Sequence, residues 1–397
     1  MVERSENREL VSFWNELVSL YQLPDEFRPS KIHSDPVCAR SDARRARRRN
    51  DENPRKNPMN PNLAALLATV SDQPTIDELM RLMHVPACFE RCEPGVVTRA
   101  ELAQALNMAL FADLLERVPT GRAYTRDVAR DGGRVTFDHG ALRTVRWPSC
   151  GALPPGEAAF TRILRPLGYR LNGTYPLERL RMTGRSYAHL DAPDQIAQFF
   201  VSELHPERFS AAFQAAVTNV LGTSADPLTP QAAATLAELE RDASLPLADA
   251  RALMPVLVRC FDRQHASPAL ADYETLLAES AEMAWIATEG NAFNHATDRV
   301  PDVDALAAAQ RALGRPIKPA VEVSRSGRVR QTAFRADPVV RAFVDASGAL
   351  VEREVPGSFY EFITRDAVAD AETGRRALDL SFDAGNATGI FKMTAAA

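Results

Sequence analysis

The chain has 397 residues, 45% of them hydrophobic and 25% charged, with a formal net charge of −5 and a pI near 5.9. This is the composition of a soluble globular protein long enough for one large domain or two to three ordinary ones. It offers no overall electrostatic attraction for nucleic acid or membrane, and no apolar run reaches the roughly 18 residues of a membrane span.

Five irregularly spaced cysteines (Cys38, Cys88, Cys92, Cys150 and Cys260) suit a reducing cytosol better than a disulfide framework. Without a secretory leader pattern, the expected location is cytoplasmic.

Residues 1–58 stand apart. Ser12 to Tyr21 reads as one short helix, followed by Arg44, Arg45, Arg47, Arg48 and Arg49. Such a basic, proline-bearing run cannot bury enough apolar surface to order itself, so a disordered leader is expected. A nucleic-acid arm, a targeting peptide, and translated upstream sequence before Met59 are the other readings. Residues 59–397 are expected to form a single catalytic domain, beginning with N-terminal helices over 59–133. Leu63, Leu66, Leu67 and Val70 recur at helical spacing, and Thr98 with Glu101 has the pattern of a capping box.

At Arg134 the period changes. Arg134 to Trp147 reads as a long strand, Glu157 to Leu167 as a helix, and Gly168–Leu171, Leu180–Met182 and Ser186–His189 as further strands, giving a first sheet half over 134–192. Residues 193–289 revert to helix, with segments Asp194–Leu204, Phe209–Leu221, Pro230–Ala243, Leu247–Phe261 and Leu270–Thr288 expected. The second sheet half and tail, 290–397, include a helix over Asp304–Leu313 and strand runs at 320–323, 329–334, 341–344, 349–355 and 359–364. Ser347-Gly348 between two of these runs signals a hairpin. The tail from Asp383 is punctuated by glycine and is expected to be irregular.

Two histidines have parallel settings. His139 and His295 each lie on a strand-like segment followed by an amphipathic helix that closes on Leu-Gly, Leu167-Gly168 and Leu313-Gly314. Two related half-units facing one another would bring both rings together, and one carboxylate would then complete an open metal site. Arg143 shares a strand face with His139, about 13 Å away at ~3.3 Å per residue, where its planar fork suits a carboxylate. Taken alone, that pair reads more readily as a buried histidine beside a surface arginine.

The polar stretch Asn291 to Asp298 around His295 offers partners for an imidazole. Glu361, set among bulky apolar residues, is the candidate third ligand, with Glu352 and Glu354 as competitors that resemble a solvated face. His189 could be a fourth ligand or a partner to one. His84, His205 and His265 read as structural or exposed, and His33 falls in the leader. Gln331, Arg325, Arg328 and Arg330 are further candidates to hold a carboxylate. A Cys88/Cys92 zinc site lacks a second cysteine pair.

The segments His139-Gly-Ala-Leu-Arg143, Asn294-His-Ala-Thr297, Arg330-Gln-Thr-Ala-Phe334 and Phe359-Tyr-Glu361, in that order, resemble the 2-oxoadipate dioxygenase/decarboxylase family, a branch of the vicinal-oxygen-chelate superfamily. The resemblance spans roughly residues 62–393. It implies an α+β fold with a curved mixed β-sheet from two related half-units, a large helical insertion and an N-terminal helical region. It also implies a non-haem Fe(II) enzyme of lysine breakdown that converts 2-oxoadipate and O2 to 2-hydroxyglutarate and CO2. His139, His295 and Glu361 would ligate Fe(II), leaving about three positions open on a six-coordinate ion, and Arg143 would hold a substrate carboxylate.

The segment Arg181–His189 and the tail after Thr364 depart from the better-known bacterial members, so the pocket, and with it the 2-oxo diacid, is less fixed than the metal set. An O2-independent, metal-dependent isomerase or lyase of glyoxalase type is the alternative on the same fold. A small-molecule-binding protein whose leader contacts nucleic acid is the non-enzymatic one. The expected partners are a small 2-oxo diacid and O2.

Overall fold

The computed structural model describes residues 60–90, 92–369, 374 and 376–383. The expected leader, its short helix and the tail beyond Asp383 lie outside the described residues. An eight-stranded sheet organises the rest. In chain order its strands are β1 (Phe137–Val145), β2 (Tyr169–Leu177), β3 (Met182–His189), β4 (Gln198–Leu204), β5 (His295–Arg299), β6 (Glu322–Val323), β7 (Val329–Ala333) and β8 (Phe359–Arg365). Their spatial order is β2-β3-β4-β1-β5-β8-β7-β6, curled into a half-barrel.

The order repeats. In the first half β1 pairs in parallel with β4, and β4, β3 and β2 follow antiparallel. In the second half β5 pairs in parallel with β8, and β8, β7 and β6 follow antiparallel. Each parallel pair needs a long crossover, and each half has a helix after its first strand, Ala158–Leu164 and Val303–Ala312. The halves meet where β1 runs antiparallel to β5, with His139 opposite Thr297 and Ala141 opposite His295.

Helices cover the convex face. The helix Arg99–Arg117 begins with the expected capping box, in which Thr98 and Glu101 satisfy each other's backbone N–H groups. Its Phe111 packs on Phe137 and Tyr360, and Tyr124 of the next helix, Pro119–Arg130, packs edge-on against Phe362. Tyr360 and Phe362 therefore face the helices. By the period of two, Glu361 between them faces the concave side.

The interval 193–289 differs from expectation at its start. Gln198–Leu204 is not a helix but β4, an inner strand. Every residue of it is buried, Gln198, Ser202 and Glu203 included, so both faces are covered and the alternation that marks a half-exposed strand is missing. The insertion proper follows β4. Its expected last helix, Leu270–Thr288, is broken at Ser280, whose extended backbone ends Leu270–Glu279 and whose hydroxyl caps Ala281–Glu289. The runs near 341–344 and 349–355 do form a hairpin about Gly348, but as a separate two-stranded sheet, Pro338–Val344 with Leu350–Pro356. The insertion and this hairpin share a second core, in which Tyr273 packs on Phe343. No helix among the described residues is long and apolar enough to cross a membrane.

Candidate metal centre and pocket

His139 on β1, His295 on β5 and Glu361 on β8 converge on the concave face, with one donor atom from each within 4.8 Å of the others, and all three are buried. Glu361 Oε2 lies 3.0 Å from His295 Nε2 and 3.5 Å from His139 Nε2. Thr297 donates its hydroxyl to Glu361 Oε2 at 2.8 Å. Among the described residues Glu361 Oε1 is buried without a hydrogen-bond partner. A buried carboxylate oxygen left open beside two imidazole nitrogens is the donor set a divalent cation would satisfy.

The far nitrogens of both rings are engaged. His139 Nδ1 is 2.9 Å from Asp138 Oδ1, and His295 Nδ1 is 3.2 Å from Asn294 Oδ1. An ionised carboxylate only accepts, so His139 carries a proton on Nδ1, and in the neutral ring the Nε2 lone pair is the one turned toward Glu361. Neighbouring residues on a regular strand point to opposite faces, which would put Asp138 out of reach. The register shifts between Phe137 and His139, and this bulge swings the carboxylate round to the ring. At the next position the chain needs glycine, because a Cβ on Gly140 would lie 2.2 Å from the Phe293 ring.

The electrostatics follow the geometry. Burial pushes the Glu361 carboxyl up, but the two histidines outweigh it and hold it below the usual carboxylate range. Asp138 behaves alike, with Arg365 and His139 overcoming its burial. Burial also disfavours a charged His139, yet the hydrogen bonds to Asp138 and Glu361 raise its pKa. At His295 burial prevails and the pKa falls.

The three donors form one end of an open pocket of about 460 Å³, the solvent at its mouth included. Arg143 lines it as well, fully buried four residues along β1, its guanidinium 5.1 Å from the centre of the Trp285 ring. Burial lowers its pKa to about 10, opposed by Glu282. The helical insertion thus supplies the wall on which the arginine rests. Ala141, Phe200 and Phe382 give the cavity an apolar middle, and Gln331 lines it from β7.

The remaining sequence candidates lie elsewhere. His189 hydrogen-bonds the Leu167 carbonyl through Nε2 and accepts from the Asp191 N–H at Nδ1, so both ring nitrogens are used away from the three donors. Arg328 and Arg330 pair with Asp379 and Asp366, and Arg325 is exposed. Glu352 and Glu354 are exposed on the separate hairpin. His84 is exposed, while His205 and His265 are buried with hydrogen bonds to Thr183 and to the Ala287 carbonyl. Asp138, Thr297, Arg365 and Phe382 are residues of the site that the sequence alone does not single out. The available signals were the acid directly before His139 and the arginine four residues after Glu361, the same offset as His139 to Arg143.

The comparisons point the same way. A glyoxalase superfamily protein from Ralstonia eutropha JMP134 is 65% identical, with a TM-score of 0.77 over 81% of this chain and 98% of its own. Hydroxyglutarate synthase from Oryza sativa, solved with 2-oxoadipate, shares the fold at 18% identity and TM-score 0.57, covering 79% of this chain and 95% of its own. The Pseudomonas putida hydroxyglutarate synthase does so at 19% identity and TM-score 0.51, covering 76% and 75%. Among curated proteins none is similar enough to match. The family described as 2-oxoadipate dioxygenase/decarboxylase matches residues 103–392, which include all three donors and Arg143. The chain belongs to that family.

Proposed function

We propose that the protein is an Fe(II)-dependent dioxygenase/decarboxylase that converts 2-oxoadipate, or a similar 2-oxo diacid, and O2 to 2-hydroxyglutarate and CO2, a step of lysine breakdown. The observation that carries the reading is one cavity with His139, His295 and Glu361 at one end and a buried arginine at the other. All atoms balance, since the two oxygens of O2 are retained in the products.

Bound Fe(II) would supply coordination for the 2-oxo acid carboxylate and keto oxygens and would activate O2. The chain does the rest by placement. Asp138 and Asn294 fix the two imidazoles, Thr297 orients Glu361, and Arg143 takes the distal carboxylate in a bidentate grip that lysine cannot match. Phe200 and Phe382 keep water from the carbon chain between the two ends.

The test is O2 uptake with 2-oxoadipate by the iron-loaded protein, alongside His139→Ala and Glu361→Ala. Uptake by the wild type, with both variants silent, is expected. No uptake by the iron-loaded wild type would sink the 2-oxoadipate assignment. The 65% identical glyoxalase superfamily relative keeps a second reading open, an O2-independent isomerase or lyase. Turnover that persists without O2, or that prefers Zn(II) or Ni(II), would favour it.

A further inference from the structure

One buried guanidinium joins the metal-facing histidine to the C-terminal segment. The side chain of Arg365, at the end of β8, is fully buried, and all of its donor nitrogens are used. Nε and Nη2 donate to the Asp138 carboxylate at 2.9–3.0 Å, the same carboxylate that receives His139 Nδ1. Nη1 donates in the other direction, to the carbonyls of Asp379 and Ser381, each at 2.8 Å. The guanidinium carbon also lies 4.8 Å from the centre of the Phe382 ring.

Segment 379–383 forms part of the pocket wall. Phe382 meets the His139 ring edge-on at 4.8 Å and packs on Phe200 at 4.9 Å. Its N–H donates to the Tyr175 hydroxyl, and the Leu380 carbonyl accepts from Asn172. Asp138 itself has no hydrogen bond to this strap among the described residues. Its polar link to the strap runs through Arg365, and the His139 ring on Phe382 makes a second, apolar link.

We propose that Arg365 is a positioning residue that holds the His139 ring in its metal-facing orientation and fastens the strap 379–383 over the pocket as one unit. Metal binding and strap closure are therefore coupled. Metal on Nε2 requires the Nδ1 proton on Asp138, which fixes that carboxylate and the guanidinium across from it. The same guanidinium then has its remaining donors aimed at the strap carbonyls. Coupling of this kind is reciprocal, so loosening either side weakens the other. Lysine at this position keeps the charge but has three donors on a flexible stem and cannot serve both sides.

The inference rests on the metal reading above, and one experiment separates the two. Hydrogen exchange across 379–383 is followed with and without Co(II), and Co(II) affinity is measured, in the full chain and in Asp138→Asn and Arg365→Lys. In the wild type Co(II) should slow exchange of the strap by about fivefold or more. Asp138→Asn should weaken Co(II) by about tenfold and also speed strap exchange, although residue 138 does not touch the strap. Arg365→Lys should do both. If Arg365→Lys fails to fold, the wild-type comparison and Asp138→Asn decide the matter.

Co(II) binding with no response of the strap in the wild type, or a loosened strap in Arg365→Lys with Co(II) affinity within about twofold of wild type, would overturn the coupling alone. Failure of the wild type to bind Co(II) would overturn the metal reading and the coupling with it.

Discussion

The two halves of the sheet share a frame and differ at the positions that matter. In each, the residue two beyond the histidine pairs with the neighbouring parallel strand. Ala141 faces Phe200 in the first half, and Thr297 faces Glu361 in the second. Phe200 and Glu361 are therefore equivalent by register, and both line the pocket. A duplicated sheet with four donors would close around a metal, whereas an apolar ring in place of the fourth leaves room for substrate. The arginines four residues beyond the histidines diverge as well. Arg143 lines the pocket, while Arg299, carried to the opposite end by the antiparallel β1–β5 contact, donates to the Asp194 carbonyl. Repetition gave the frame, and asymmetry made the site.

Making the halves alike should have the largest effect. Phe200→Glu offers a fourth donor, and it should tighten divalent-metal binding while lowering O2-linked turnover by about 100-fold or more, because an open coordination position is filled. Metal titration and oxygen uptake read the two effects separately. Unchanged turnover would show that residue 200 does not face the metal.

The arginines give the next contrast. Arg143→Lys should raise KM for the diacid by roughly 10- to 100-fold, the worth of a charged hydrogen-bonded contact, and should do little to a 2-oxo monoacid. Arg299→Lys should leave KM within about twofold. Equal effects on mono- and diacid would remove Arg143 from the far end of the substrate.

The smallest effect concerns the convex face, where Leu142 of the first half corresponds to Asp298 of the second. Burial pushes the Asp298 carboxyl up to about 7, although hydrogen bonds from Tyr124 and the Thr136 N–H oppose the shift. The folded state therefore holds this proton more tightly than the unfolded chain, whose aspartates titrate near 3.9. The resulting stability is fully present below about pH 4 and is lost as pH rises towards 7. Asp298→Asn should flatten that part of the stability profile, as thermal unfolding across pH 4–8 would reveal. An unchanged slope would assign the pH dependence to other groups.

The site was legible where residue chemistry and spacing coincide. His139 and His295 had matching surroundings, and Glu361 was an acid that could not comfortably face the helices between Tyr360 and Phe362. Asp138 was hidden by the rule that exposed the others, because strict alternation assigns it to the opposite face and only a bulge returns it. Arg365 carries no local signal of its partner, since the carboxylate it neutralises is 227 residues away. Gln198–Leu204 was misread because burial on both faces removes the period of two. The hairpin Pro338–Pro356 has clear strand patterns, but a pattern names a strand without naming its partner.

The central claim is that the two halves build one metal site between them, each giving a histidine. Anaerobic Fe(II) titration of the wild type, His139→Ala and His295→Ala tests it most directly. One ion per chain, with affinity lost in either variant, is the predicted result. Two ions per chain, or full affinity after removal of either histidine, would contradict it.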